Sequence, residues 1–161
     1  YADKAFEKSF EKQGLEIIDY DSKPTPFNSI LWTANAQSDS SFYIGYYSLL
    51  DTKESIDYIR FDKNLHLLKG WEGIDMVQRV LKISQGYYTF QKDGEALIVN
   101  DLRFGQLGMS NPEAPFVFSY RFERKGDEIL FEDIRKKNEE KMNFKLLSEM
   151  MSNLWSRMKG I

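Results

Sequence analysis

From Gly86 to Phe122 the side chains alternate between two faces, and few folds other than an antiparallel sheet accommodate that pattern. The stretch reads GYYTFQKDGEALIVNDLRFG, then a short Pro-containing break, then PFVFSYRF. Lys92-Asp93-Gly94 is a tight-turn signal, because Asp-Gly supplies the positive φ of a two-residue hairpin. Beyond it Ala96, Ile98, Asn100, Leu102 and Phe104 fall on one face of a strand, and Leu97, Val99, Asp101 and Arg103 on the other. In the next strand Phe116, Phe118, Tyr120 and Phe122 share one side, with Val117, Ser119, Arg121 and Glu123 opposite. Burying an aromatic of this size is worth about 1.5–3 kcal/mol, so the aromatic side is predicted to carry the core. The opposite side is predicted to gather Asp101, Arg103, Arg121 and Glu123. Such a group reads either as a solvated cross-strand charge ladder or as a polar ligand site.

The totals narrow the class of protein. A chain of 161 residues fits one domain with a sizeable core. With 22 basic and 25 acidic residues and no basic run, nucleic-acid binding through a positive surface is disfavoured. The absence of cysteine excludes disulfides, thiol catalysis and thiolate metal sites. No apolar run reaches the roughly 18–20 residues of a membrane span. The sequence starts at Tyr1 rather than Met and is read as a fragment or a processed form.

In chain order, residues 1–13 form an amphipathic helix with Ala2, Phe6 and Phe10 on its apolar stripe, stopped at Gly14. A loose alternation from Leu15 to Tyr20 predicts a first strand, ended by the Lys23-Pro24-Thr25-Pro26 break. Phe27 to Ala36 and Phe42 to Leu50 read as antiparallel partners. The run from Phe42 to Tyr47 offers bulk to both faces, so that strand is placed centrally. Ile56 to Phe61 follows as a strand, Leu65 to Gly70 as a connector, and Trp71 or Gly73 to Gln85 as a helix. After the organising strands come a strand at Ile129 to Ile134, a charge run at Arg135 to Lys141 and a last helix from about Asn138 to Lys159. The predicted fold is α+β: one antiparallel sheet of about six or seven strands, with helices at the N-terminus, in the middle and at the C-terminus.

No catalytic constellation emerges from the residues. The single histidine, His66, lacks companions for a zinc site or a triad. Gly105-Gln106-Leu107-Gly108 lacks the Lys-Ser/Thr that phosphate binding demands. Trp32, Tyr46, Tyr47, Tyr87 and Tyr88 read either as core and rim or as the edge of an aromatic pocket for a small molecule. No metal ligand and no cofactor are expected within this portion.

Several short motifs, in order, carry a resemblance. They are Pro24-Thr25-Pro26-Phe27-Asn28, Leu31-Trp32, Gly45-Tyr46-Tyr47-Ser48-Leu49, Gly86-Tyr87-Tyr88, Asn100-Asp101-Leu102-Arg103-Phe104-Gly105 and Pro115-Phe116-Val117-Phe118. Together, over roughly Pro24 to Phe122, they resemble the soluble C-terminal portion of the YdjM-like membrane-bound metal-dependent hydrolases of bacteria. The resemblance implies a multi-spanning N-terminal region that carries the His and acidic residues and a divalent metal. It also implies an address at the bacterial inner (cytoplasmic) membrane. Carried over by position, Trp32, Tyr47, Asn100, Asp101 and Arg103 are the candidate ligand-binding residues, with no catalytic residue among them. The expected role is a soluble, non-catalytic appendage that regulates, captures substrate or aids assembly. The alternatives are an aromatic-lined ligand-binding module and an independent hydrolase using Asp101.

Overall fold

The computed structural model describes residues 1–25, 29–52, 55–106 and 111–134, together with 152, 155 and 156. The charge run and most of the predicted last helix lie outside the described residues; within that helix Ser152, Trp155 and Ser156 are described and are helical. The element order is α1 (Ala2–Gln13), β1 (Asp19–Pro24), β2 (Leu31–Gln37), β3 (Ser41–Ser48), β4 (Tyr58–Asp62), a 3-10 turn (Leu65–Leu68), α2 (Asp75–Ile83), β5 (Tyr88–Asp93), β6 (Ala96–Gln106), β7 (Phe116–Lys125) and β8 (Glu128–Asp133).

The strands do not form the single sheet of six or seven that the sequence predicts. They make two four-stranded antiparallel sheets, ordered β1-β2-β3-β4 and β5-β6-β7-β8. Within each sheet neighbouring strands follow one another in sequence, and the break falls where the chain passes through the 3-10 turn and α2. Each sheet belongs to its own compact unit, the first built on residues Tyr1–Phe61 and the second on Asp62–Leu107 and Ala114–Asn143. The two units repeat one plan, a helix followed by a four-stranded meander.

In the first unit, Ala2, Phe6 and Phe10 of α1 pack on Ala34, Ala36, Tyr47 and Ile56. The register Tyr20↔Ala36, Ser22↔Ala34 and Pro24↔Trp32 puts small side chains of β2 under the helix, which lets it sit close to the sheet. Gly14 ends α1 in the left-handed conformation, φ 64°, with its N–H bonded to the carbonyls of the last turn. Pro24 lies at the end of β1, an edge strand, where a missing N–H is tolerated. β3 lies between β2 and β4 and is largely buried along its length, as expected of a strand with bulk on both faces.

Gly45 of β3 is required by its neighbour. A Cβ there would stand 2.5 Å from Cε1 of Tyr58 and 3.2 Å from Cγ2 of Ile56. The Tyr58 ring itself leans on Phe10, centroids 5.3 Å apart, so it cannot swing aside without disturbing the seat of α1. Gly45→Ala is therefore expected to destabilise the chain by about 1–3 kcal/mol, the usual cost of overpacking. A urea midpoint equal to that of the unaltered chain would show that the ring moves freely.

In the second unit, Val77 and Val80 of α2 pack with Trp71, Phe90, Leu97, Val99 and Phe122. The helix is shorter than predicted: residues 71–73 form turns, and Ile74, in extended conformation, is the N-cap. Asn64, at positive φ, opens the 3-10 turn and ties it to the sheet, its Nδ2 donating to the Phe90 carbonyl at 3.0 Å. Arg124 lies over the Trp71 ring at 4.8 Å and donates to the Gly70 carbonyl, closing the lower edge of this core.

Candidate functional site

The β5–β6–β7 register decides where the candidate side chains point. Leu97 faces Phe122, Val99 faces Tyr120 and Asp101 faces Phe118, while Ile98 faces Arg121 and Asn100 faces Ser119. Cross-strand partners share a face, so the aromatic row of β7 lies with Leu97, Val99 and Asp101 rather than with Ala96, Ile98 and Asn100. The predicted four-membered charge ladder is consequently divided between the two faces. Alternation within one strand leaves its phase against the next strand open, and a slip of one residue exchanges every side chain.

Asp101 is the centre of the arrangement on the aromatic face. It is 1% exposed, on the eleven-residue strand β6, just before a register irregularity between Asp101 and Gln106. Its Oδ1 accepts the Arg103 backbone N–H at 3.0 Å and Nε at 3.0 Å. Its Oδ2 accepts Nε at 3.1 Å and Nη2 at 2.6 Å. The pair is thus a forked, charge-assisted clamp that also fixes the backbone at the irregularity. The Asp101 hydrogen bonds hold the Arg103 guanidinium above its ordinary pKa, against a smaller opposing effect of burial. Arg103 lies 5.3 Å from the centroid of Phe104, and Phe104 meets Phe118 edge-on at 4.7 Å. Phe104 is 57% exposed, so the clamp stands at the rim of the face and not in its middle.

The other face carries a different polar row. Thr89, Asn100 and Ser119 are adjacent across three strands and all buried. Ser119 Oγ donates to Asn100 Oδ1 at 2.6 Å, and Asn100 Nδ2 is buried with no partner. On this face too, Arg121 donates to Asp93 at 2.9 Å and to Glu123 at 2.5 Å. Those carboxylates, Glu123 first, raise the Arg121 pKa. This half of the charged group is a partly exposed ion-pair network centred on β7, an interior strand of the sheet.

Trp32 and Tyr47 belong to the first unit, where they are direct cross-strand partners. Trp32 Nε1 donates to the Ser29 carbonyl at 3.0 Å. Tyr47 meets Phe6 of α1 edge-on at 6.0 Å, and burial is the first cause raising its phenol pKa. Both rings therefore serve the seat of α1. The structure brings together Trp32 with Tyr47 and Asp101 with Arg103. Asn100 points away from its neighbour Asp101. The orphan amide of Asn100 and its contact with Ser119 were beyond sequence reasoning, since only the strand register pairs those residues.

Among the described residues, no group of three or more His, Asp or Glu side chains is gathered as a metal ion would require. No protein-family model, curated protein or solved structure matches this chain.

Proposed function

We propose that this chain is the soluble appendage of a bacterial membrane-bound metal-dependent hydrolase, with a regulatory, substrate-capturing or assembly role and no chemistry of its own. The observation that supports this reading is the way α1 is locked down. Besides the buried Phe6 and Phe10, Asp3 accepts a hydrogen bond from Ser22. Glu7 accepts one from the Tyr20 hydroxyl at 2.8 Å, and Gln13 donates to the Ile56 carbonyl at 2.8 Å. A helix tied to its sheet from first turn to last would fix the orientation of the unit relative to whatever precedes it. That is what an appendage on a membrane protein needs.

The state of Asp101 bears on the rival hydrolase reading. A general base or nucleophile needs a lone pair directed at substrate, and both Asp101 oxygens already accept from Arg103. Among the described residues no helix is long and apolar enough to cross a membrane, so under this proposal the span lies elsewhere in the full protein.

The product of the complete gene is expected to fractionate with membranes and to need detergent for release. The 161-residue chain, with a formal charge of −3, is expected to stay in the supernatant with anionic liposomes. Recovery of the complete product in the soluble fraction would defeat the appendage reading.

A further inference from the structure

The outer strands of an antiparallel sheet present unpaired backbone groups, and proteins blunt such edges in recognisable ways. The outer strands here are β1, β4, β5 and β8. β1 carries Lys23 and ends at Pro24. β4 is five residues long and carries the exposed Arg60. Along β5 the Phe90 N–H donates to the Lys63 carbonyl at 3.2 Å, and the Phe90 carbonyl accepts from Asn64 Nδ2 at 3.0 Å.

β8 has none of these devices. It contains no proline and no lysine, its register with β7 runs without a bulge, and β7 is its strand partner among the described residues. The Ile134 N–H donates to the Ser119 carbonyl at 2.9 Å, which fixes the phase of the β7–β8 ladder. Arg121 with Glu132 and Glu123 with Leu130 are then hydrogen-bonded pairs, and the backbone groups of Ile129 and Phe131 point away from β7. The strand is also apolar where it is open. Leu130 is 43% and Phe131 42% exposed, one on each side of the sheet.

The acids of β8 decide what can lie along it. Glu128 stands opposite Lys125 and Glu132 opposite Arg121, so the strand does not call for a basic partner. A second copy fits in one register. With Phe131 opposite its own counterpart about a two-fold axis, Leu130 meets Glu132 of the second copy, Ile129 meets Asp133 and Glu128 meets Ile134. Every carboxylate then faces an apolar side chain. Sliding one copy by two residues sets Glu128 against Glu132 and Asp127 against Asp133, and the opposite slide sets Glu132 against itself. Like charges directly opposite one another are destabilising, so the first register is selected. We propose that β8 pairs antiparallel with β8 of a second copy of this chain, with Phe131 at the two-fold axis. The two Phe131 residues exchange both N–H···O bonds, and their rings lie side by side on one face. This assignment does not depend on the appendage reading.

The test uses the whole 161-residue chain. A contact this short belongs among small interfaces, so sedimentation velocity is run from about 5 to 500 µM. A monomer–dimer equilibrium within that range is expected. Amide hydrogen exchange at the two ends of the range locates the contact. Exchange at Ile129 and Phe131 should slow about threefold or more at the higher concentration, and that at Leu130, already bonded to β7, should change less. Leu130→Glu sets a carboxylate opposite Glu132 of the second copy and should weaken the dimer about tenfold or more. Leu130→Lys sets an ammonium group there and should leave the dimer as tight or tighter. Should Leu130→Glu unfold, since Glu123 of β7 also faces that position, Leu130→Lys and the exchange data decide alone. A chain that stays monomeric throughout the range overturns the proposal. So does a dimer without slowed exchange at Ile129 and Phe131, or a dimer that Leu130→Lys weakens. Slow exchange of both amides in the monomer would overturn it too, because the edge would then be covered within one chain.

Discussion

Replacing Phe122 by alanine is expected to lower stability by about 3–5 kcal/mol, the usual cost of emptying a buried aromatic position. Phe122 is fully buried and belongs to the same cluster as Trp71, Val77, Phe90, Leu97 and Val99. It also touches Phe131 of β8, ring centroids 5.4 Å apart, so one side chain joins α2 and three strands of the second sheet. A close-packed neighbourhood of this kind relaxes only partly when a ring is removed. Phe118, four residues earlier on the same face, is only half-buried and rests edge-on against the exposed Phe104. Phe118→Ala should therefore cost clearly less. Parallel urea titrations of the two variants, followed by far-UV circular dichroism, would check the order. A Phe118 variant less stable than the Phe122 variant would mean that the core lies at the other end of the strand.

The comparison of these two phenylalanines shows what the sequence made legible. Alternation in PFVFSYRF placed the aromatic side of β7 toward the core, and Phe116 and Phe122 are buried there. The same alternation could not say how far α2 reaches along that side, because helix coverage depends on tertiary placement rather than on period. Helix α1 was readable through its i, i+4 stripe and its Gly14 stop, both local properties. Division of the strands into two sheets was not, since each hairpin looks alike whichever sheet it joins and only long-range pairing distinguishes them. The candidate residues fared in the same way. Asp101 and Arg103, two apart on one strand, were grouped correctly, whereas Arg121 and Glu123 were grouped with them by an assumed register that is off by one. Trp32 and Tyr47 were singled out as candidate ligand-binding residues, and their neighbours Ser29 and Phe6 show where they sit in the packing of the first unit.

Arg103→Met is expected to be the other strongly destabilising change, by about 3–5 kcal/mol, although an exposed ladder would have put the effect near 1 kcal/mol or less. The difference lies in the burial of Asp101. Its side chain is 1% exposed, against 23% for Arg103, so removal of the guanidinium strands a carboxylate inside the protein. Asp101→Asn acts from the opposite side. It leaves Arg103 able to turn toward water, and the loss should be nearer the 1.5–3 kcal/mol or so of a hydrogen bond to a charged group. The double variant Asp101→Asn/Arg103→Met contains no stranded charge and should be more stable than Arg103→Met alone. A double-mutant cycle in urea measures that coupling directly, provided the singles stay folded. For marginal variants, the same cycle can be run at lower temperature. An Arg103→Met loss below about 1 kcal/mol would show that water reaches Asp101 freely, and would return this carboxylate to candidacy as a reactive group. A large coupling would instead make the pair a fixed structural clamp at the β6 irregularity, holding Phe104 at the exposed rim.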